Sequence, residues 1–212
     1  VAAPVVVYVH GLWLTGHEGF LLQRRLDQAH GFQWRHFHYA STLLKMDEIA
    51  DALHAYVMGL HAETAHFVGH SLGGLVILRC LERHSDLPPG RVLFLGTPCL
   101  SSRAAAAFAR LPFGPMLLGE AALAELLQVQ PRAWLYPGRE LGIIAGDQSL
   151  SLARLVVDFD EPNDGAVAIS ETRLPGAKAH LVLPVNHTGM LLSPRVAEEA
   201  GRFLATGAFS AQ

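Results

Sequence analysis

Ala65-His66-Phe67-Val68-Gly69-His70-Ser71-Leu72-Gly73-Gly74 runs from a short β-rich stretch, through a serine flanked by glycines, into the apolar segment Leu75-Val76-Ile77-Leu78. A G-x-S-x-G pattern at a strand-to-helix junction holds its serine on a sharp turn, where only small neighbours leave room for the chain to reverse. Ser71 therefore reads as a nucleophile raised at a strand end, and Gly74 as a further small residue where the helix must approach the sheet. The bland alternative is a turn that merely needs glycines; the strand before it and the helix after it weigh against that.

Outward from this turn, short β-rich runs alternate with helical-period segments, as in βαβ units with a parallel sheet. The runs are Val5 to Val9, Gln33 to Phe37, Ala65 to Val68, Arg91 to Leu95, Leu141 to Ala145 and Ala179 to Val185. Met46, Ile49, Ala50, Leu53, Val57 and Leu60 repeat as one helical stripe, with Asp47 and Glu48 in the first turn, where the helix dipole favours acids. Leu72 to Leu81 is apolar around most of its circumference and predicts a deeply buried helix. Ser193 and Pro194 open a closing helix with Val196, Ala200, Phe203 and Leu204 on one side. The stretch 100–132, with Leu111-Pro112-Phe113-Gly114-Pro115-Met116-Leu117-Leu118 at its centre, is too long for a simple crossover and predicts a lid or rim.

At 212 residues the chain fits one domain, 1–212, carrying that insertion. Half of the residues are apolar and 17% are charged, which argues for a filled core rather than a disordered chain. A net charge of -3 gives no support for wrapping a nucleic acid. No apolar run reaches the roughly 18 residues of a membrane span. The N-terminal residues read as a strand rather than a signal peptide, which favours a cytoplasmic location, although a removed leader is compatible with a chain that starts at Val1. Cys80 and Cys99 read as reduced core thiols. There is no HExxH, and His36 with His38 lacks a third ligand nearby in sequence, so no metal is expected.

A serine hydroxyl needs a base to take its proton and a carboxylate to hold that base. His187, in the loop between the last strand and the closing helix, is the best-placed base, with His10, His70 and His180 read as structural. Its ring nitrogen is expected within about 3.2 Å of the Ser71 hydroxyl. Asp147, Asp158, Asp160, Glu161 and Asp164 all qualify as the acid, with Asp164 slightly ahead for its Asp-Gly turn and Asp147 the competitor at a strand end. The oxyanion of acyl transfer needs two backbone N–H donors. Leu72, after the nucleophile, and Leu12, in the loop after the first strand, are the choices, with Trp13 next.

These residues resemble the α/β-hydrolase superfamily, and within it the small bacterial lipase and esterase branch, which includes deacylases of the lipid-anchor-remodelling type. The matching landmarks span nearly the whole chain: His10-Gly11-Leu12-Trp13, Gly69-His70-Ser71-Leu72-Gly73-Gly74, Leu95-Gly96-Thr97-Pro98, Asn163-Asp164-Gly165-Ala166-Val167 and His187-Thr188-Gly189-Met190-Leu191. The resemblance favours Asp164 as the acid, because its turn looks like the acid loop of such lipases. It also implies a minimal α/β-hydrolase fold, a six-stranded mainly parallel sheet in the order 2-1-3-4-5-6 with helices on both faces. The activity it implies is cofactor-free cleavage of a carboxylic ester through an acyl-enzyme on Ser71. Leu111 to Leu118, with Trp13 and Phe20 near the mouth, point to a small-molecule substrate with an apolar acyl group. A thioesterase or acyltransferase would use the same residues; a binding protein that kept the scaffold without turnover and a peptidase are the remaining rivals. After Thr97-Pro98 the chain departs from its relatives, with Cys99-Leu100-Ser101-Ser102 where they often carry His and Gly-Ser.

Overall fold

The structure is a computed structural model that describes residues 3–127, 132–149 and 159–210. Asp158 and residues 128–131 of the expected insertion lie outside the described residues. In chain order the elements are β1 (Val5–Val9), α1 (Phe20–His30), β2 (Gln33–Phe37), α2 (Met46–Gly59), β3 (Ala65–His70), α3 (Leu72–Arg83) and β4 (Val92–Leu95), followed by α4 (Arg103–Ala109), α5 (Gly114–Leu126), β5 (Leu141–Gly146), α6 (Ile169–Thr172), β6 (Ala179–Leu183) and α7 (Pro194–Thr206).

The strands form one parallel sheet in the order β2-β1-β3-β4-β5-β6, as expected. Side chains alternate across its plane. Val5, Val7 and Val9 of β1 enter the core beneath α2, α3 and α5, while Val6 and Tyr8 enter the core beneath α1 and α7. Both faces are therefore covered, which is why the strands read as nearly continuous apolar runs. α3 buries nine of its twelve residues, Leu72 through Leu78 together with Cys80 and Leu81.

The boundaries move for local reasons. Arg91 falls outside β4 because its N–H goes to His66 Nδ1 at 2.8 Å instead of to the ladder. β6 stops at Leu183 because Pro184 has no N–H to continue it. α7 begins as read, with Ser193 Oγ accepting the Val196 N–H at 3.3 Å, and ends at left-handed Gly207, φ 77°.

Three helices, α1, α4 and α5, go beyond the sequence reading. α1 forms between β1 and β2 with Leu22 and Leu26, four residues apart, buried against α7. The stretch 100–132 contains α4 and α5 rather than an irregular flap. α5 breaks at Gly119, φ 78° and ψ 166°, where an added Cβ would stand 2.5 Å from the Thr42 backbone. The helix can cross the loop after β2 there only because no side chain intervenes.

Candidate active site

The turn between β3 and α3 holds Ser71 at φ 53° and ψ −123°, a conformation costly for any residue with a side chain. Its neighbours explain how the strain is held. A Cβ on Gly69 would stand 2.6 Å from the Gly74 backbone, and one on Gly73 would run into the Val9 carbonyl. The Ser71 N–H is tied to Leu95 O at 2.9 Å, so β4 grips the turn from the other side. The Leu72 N–H opens α3, at the positive end of that helix, where the first amides have no intrahelical acceptor.

Across the mouth, the loop after β6 brings His187 to Asp164. His187 Nδ1 donates to Asp164 Oδ2 at 2.7 Å, and the His187 N–H donates to the Asp164 carbonyl at 2.9 Å. The other carboxylate oxygen, Oδ1, accepts the Ala166 and Val167 N–H groups at 2.9 and 2.7 Å. Asp164 is only 1% exposed. Burial alone would push the His187 ring toward its neutral form, but the charge of Asp164 and the hydrogen bond to it outweigh that and raise its pKa above the ordinary 6.5. With Nδ1 committed to the acid, Nε2 keeps its lone pair for another proton. Among the described residues no hydrogen bond joins Ser71 to this ring, so the expected contact is not made as a hydrogen bond. Such bonds often close only around substrate.

The other acids stand elsewhere. Asp160 and Glu161 both pair with Arg103, and Glu161 also accepts the Ser170 hydroxyl at 2.7 Å. Asp147 makes no side-chain hydrogen bond among the described residues; only its backbone is held, by Leu183. His180 bonds Thr172 Oγ1 at 2.8 Å.

The loop after β1 separates its two N–H candidates. The Trp13 N–H is taken up by Ser41 Oγ at 3.2 Å, whereas the Leu12 N–H has no acceptor among the described residues. His10, read as structural, holds the peptide next to that amide. Its Nε2 accepts the Tyr39 N–H at 3.3 Å, which leaves Nδ1 to donate to Gly11 O at 2.8 Å. Because a peptide unit is planar and trans, fixing the Gly11 carbonyl also fixes the opposed Leu12 N–H. Burial lowers the His10 pKa and keeps the ring neutral, stacked on Tyr39 at 4.2 Å. His70 likewise donates from Nε2 to the His187 carbonyl at 3.1 Å, which braces the histidine loop. Neither role has a local sequence signal, since the partners lie 29 and 117 residues away.

Trp13, at φ 62°, is 57% exposed at the mouth. It donates from Nε1 to Leu117 O at 2.8 Å and leans on Phe108, 5.5 Å between ring centres. Phe113 and Met116 stand beyond it, 74% and 70% exposed. Cys99 is buried and bonds within its own loop, its Sγ to Thr97 O at 3.5 Å. Burial pushes this thiol up to about 12, so it offers no thiolate to the site.

No protein-family model matches the sequence, and no curated protein sequence matches it. Solved structures do. The lipase BlEst2 of Bacillus licheniformis superposes with a TM-score of 0.76 over 96% of this chain and 91% of its own, at 18% identity. The fold is that of the α/β-hydrolases. Two further structures extend the comparison. The carboxylesterase CesB of Bacillus subtilis matches with a TM-score of 0.60, at 14% identity, over 98% of this chain and 85% of its own. The Vlm2 thioesterase domain matches with a TM-score of 0.62, at 14% identity, over 99% and 95%.

Proposed function

We propose that this protein is a serine hydrolase that cleaves carboxylic esters through an acyl-enzyme on Ser71. The observation that carries the reading is the convergence of three loops at the carboxyl ends of the strands. Ser71 sits on its strained turn, with the loop after β1 beside it at Gly11, where an added Cβ would stand 3.0 Å from the Ser71 Cβ; His187 is paired with buried Asp164, and the Leu12 N–H has no acceptor among the described residues. In this reading Ser71 Oγ attacks the ester carbonyl while His187 Nε2 takes its proton. The Leu12 and Leu72 N–H groups stabilise the oxyanion. The tetrahedral intermediate then collapses, the C–O bond to the leaving group breaks, and His187 returns the proton to the departing alkoxide. Water, deprotonated by the same ring, attacks the acyl-enzyme and restores Ser71. Asp164 supports the imidazolium at both steps, and no step calls for a cofactor.

Esterases and lipases among the structural relatives support the same chemistry. Trp13, Phe113, Met116 and Leu117 offer an acyl chain an apolar rim, and the Trp13–Leu117 hydrogen bond joins the 100–132 insertion to the Leu12 loop. The chain thus works as a single domain, 1–212, whose insertion borders the site. No helix among the described residues is long and apolar enough to cross a membrane.

The test is labelling with a fluorophosphonate probe alongside turnover of chromogenic esters and thioesters of graded acyl length. Labelling and ester turnover should both disappear in a folded Ser71→Ala protein, and His187→Ala should lose turnover by orders of magnitude. Near wild-type activity in folded Ser71→Ala would overturn the assignment. Labelling with turnover confined to thioesters would move it to the thioesterases.

A further inference from the structure

On the face of the molecule opposite the catalytic mouth, His54, His84 and Asp86 come together, with one ligand atom of each within 4.8 Å of the others. His54 belongs to α2, His84 closes α3, and Asp86 follows in the next loop. α3 carries the chain away from Ser71 for twelve residues, which at 1.5 Å per residue puts the cluster about 18 Å from the nucleophile. It therefore takes no part in the proposed chemistry.

The two imidazoles lie face to face, 4.0 Å between centres and 12° from parallel. The carboxylates are already in place. Asp86 Oδ1 stands 2.8 Å from His54 Nε2, and Asp51 Oδ1 stands 2.8 Å from His84 Nε2. Arg83 holds Asp51 through Nε and Nη2, both at 2.8 Å, so that carboxylate is oriented before any ion arrives. The His54 and His84 side chains are 22% and 23% exposed, enough for an ion to enter from solvent.

We propose that His54, His84 and Asp86 bind one divalent transition-metal ion of the zinc type, with solvent completing its coordination. Two neutral imidazoles and a carboxylate are a donor set that suits zinc, cobalt, nickel or copper and is poor for calcium or magnesium. Asp51 acts from outside the coordination sphere and fixes the His84 ring, as carboxylates do for ligating histidines. Because the ion's ligands come from α2 and from the end of α3, the ion pins together the two helices that pack beside the serine turn.

The experiment uses the full chain, stripped with a chelator and titrated at pH 7.5 with Zn²⁺ by calorimetry and with Co²⁺ by visible absorption. One equivalent should bind, and Zn²⁺ should raise Tm by several degrees, reversibly with chelator. His54→Gln and Asp86→Asn should each weaken binding at least tenfold, roughly the loss expected for a ligand, and should abolish the Tm gain. Their metal-free Tm and ester turnover should stay close to wild type, since an exposed pair contributes little. Asp86, with a side chain 61% exposed, keeps the test open should the histidine change disturb the ring stack. Two results overturn the proposal: no saturable equivalent in the wild type, or undiminished affinity in both variants, which would assign the ion to other histidines and leave this cluster a plain ion-pair network.

Discussion

Asp164 spends its carboxylate in two directions: Oδ1 on two backbone N–H groups of its own turn and Oδ2 on His187 Nδ1. The turn holds the acid, and the acid holds the ring. Asp164→Asn keeps the shape but removes the charge, and with it the influences that raise the His187 pKa. Only burial then remains, which lowers it. Because the base must be neutral, the rising limb of the kcat/KM–pH profile lies above 6.5 in the wild type and should move to lower pH in Asp164→Asn, while turnover falls by about 10³–10⁴-fold. Asp147→Asn should leave both nearly unchanged, and a reversal of these two results would hand the acid role to Asp147. Of the proposed site, Ser71 and His187 were legible from the turn and the loop that carry them, whereas local chemistry left Asp164 only slightly ahead of Asp147 and the family resemblance favoured it. Ser41 and the working role of His10 could not be read, because their effect on the Leu12 loop runs through contacts 28 and 29 residues apart. The same holds for His54, His84 and Asp86, which look unrelated until α2 and α3 pack side by side.

Strands and buried helices followed from periodicity because the sheet is covered on both faces and the apolar runs are correspondingly dense. α1 escaped because only Leu22 and Leu26 of its eleven residues are buried, a weak stripe among charged and polar side chains. α5 escaped for the opposite reason. It serves two surfaces, with Leu118, Ala121, Ala122 and Leu126 in the core and Met116 and Leu117 turned outward at the rim beside Phe113, the residue before the helix, so no single apolar face emerges. Two substitutions should therefore behave differently. Phe113→Ser with Met116→Ser changes only exposed side chains and should lower turnover of long-chain esters relative to short-chain ones, with little change in Tm. Gly119→Ala forces a Cβ against the Thr42 backbone at a positive φ and should destabilise the whole protein by more than about 1 kcal/mol, lowering both rates together as the folded fraction falls. An unchanged chain-length ratio in the first variant would remove the insertion from substrate selection.

At the scale of the molecule, the histidines couple folding to pH in a way that net charge does not show. His10, His36, His66, His70 and His180 are all lowered, each chiefly by burial, with His66 at about 4 and His70 at about 3. The unfolded chain takes up these protons near pH 6.5, while the native state refuses them until much lower pH. Stability is therefore fully present above 6.5 and drains away as pH falls toward 4. His187 runs the other way: its raised pKa adds stability below 6.5 that is lost as pH climbs through the folded value. For His66 the drop from 6.5 to about 4 corresponds to about 3 kcal/mol, meaningful for a side chain so well buried. Urea denaturation at pH 7, 6, 5 and 4.5 should then show a steep loss of stability on acidification. His66→Asn cannot bind the proton, so it should start less stable at pH 7, having lost the ring that accepts the Arg91 N–H, and then fall more gently by close to one proton per molecule below pH 6. Parallel curves for wild type and His66→Asn would show that His66 titrates normally in the folded protein and that the acid sensitivity arises from the carboxylates instead.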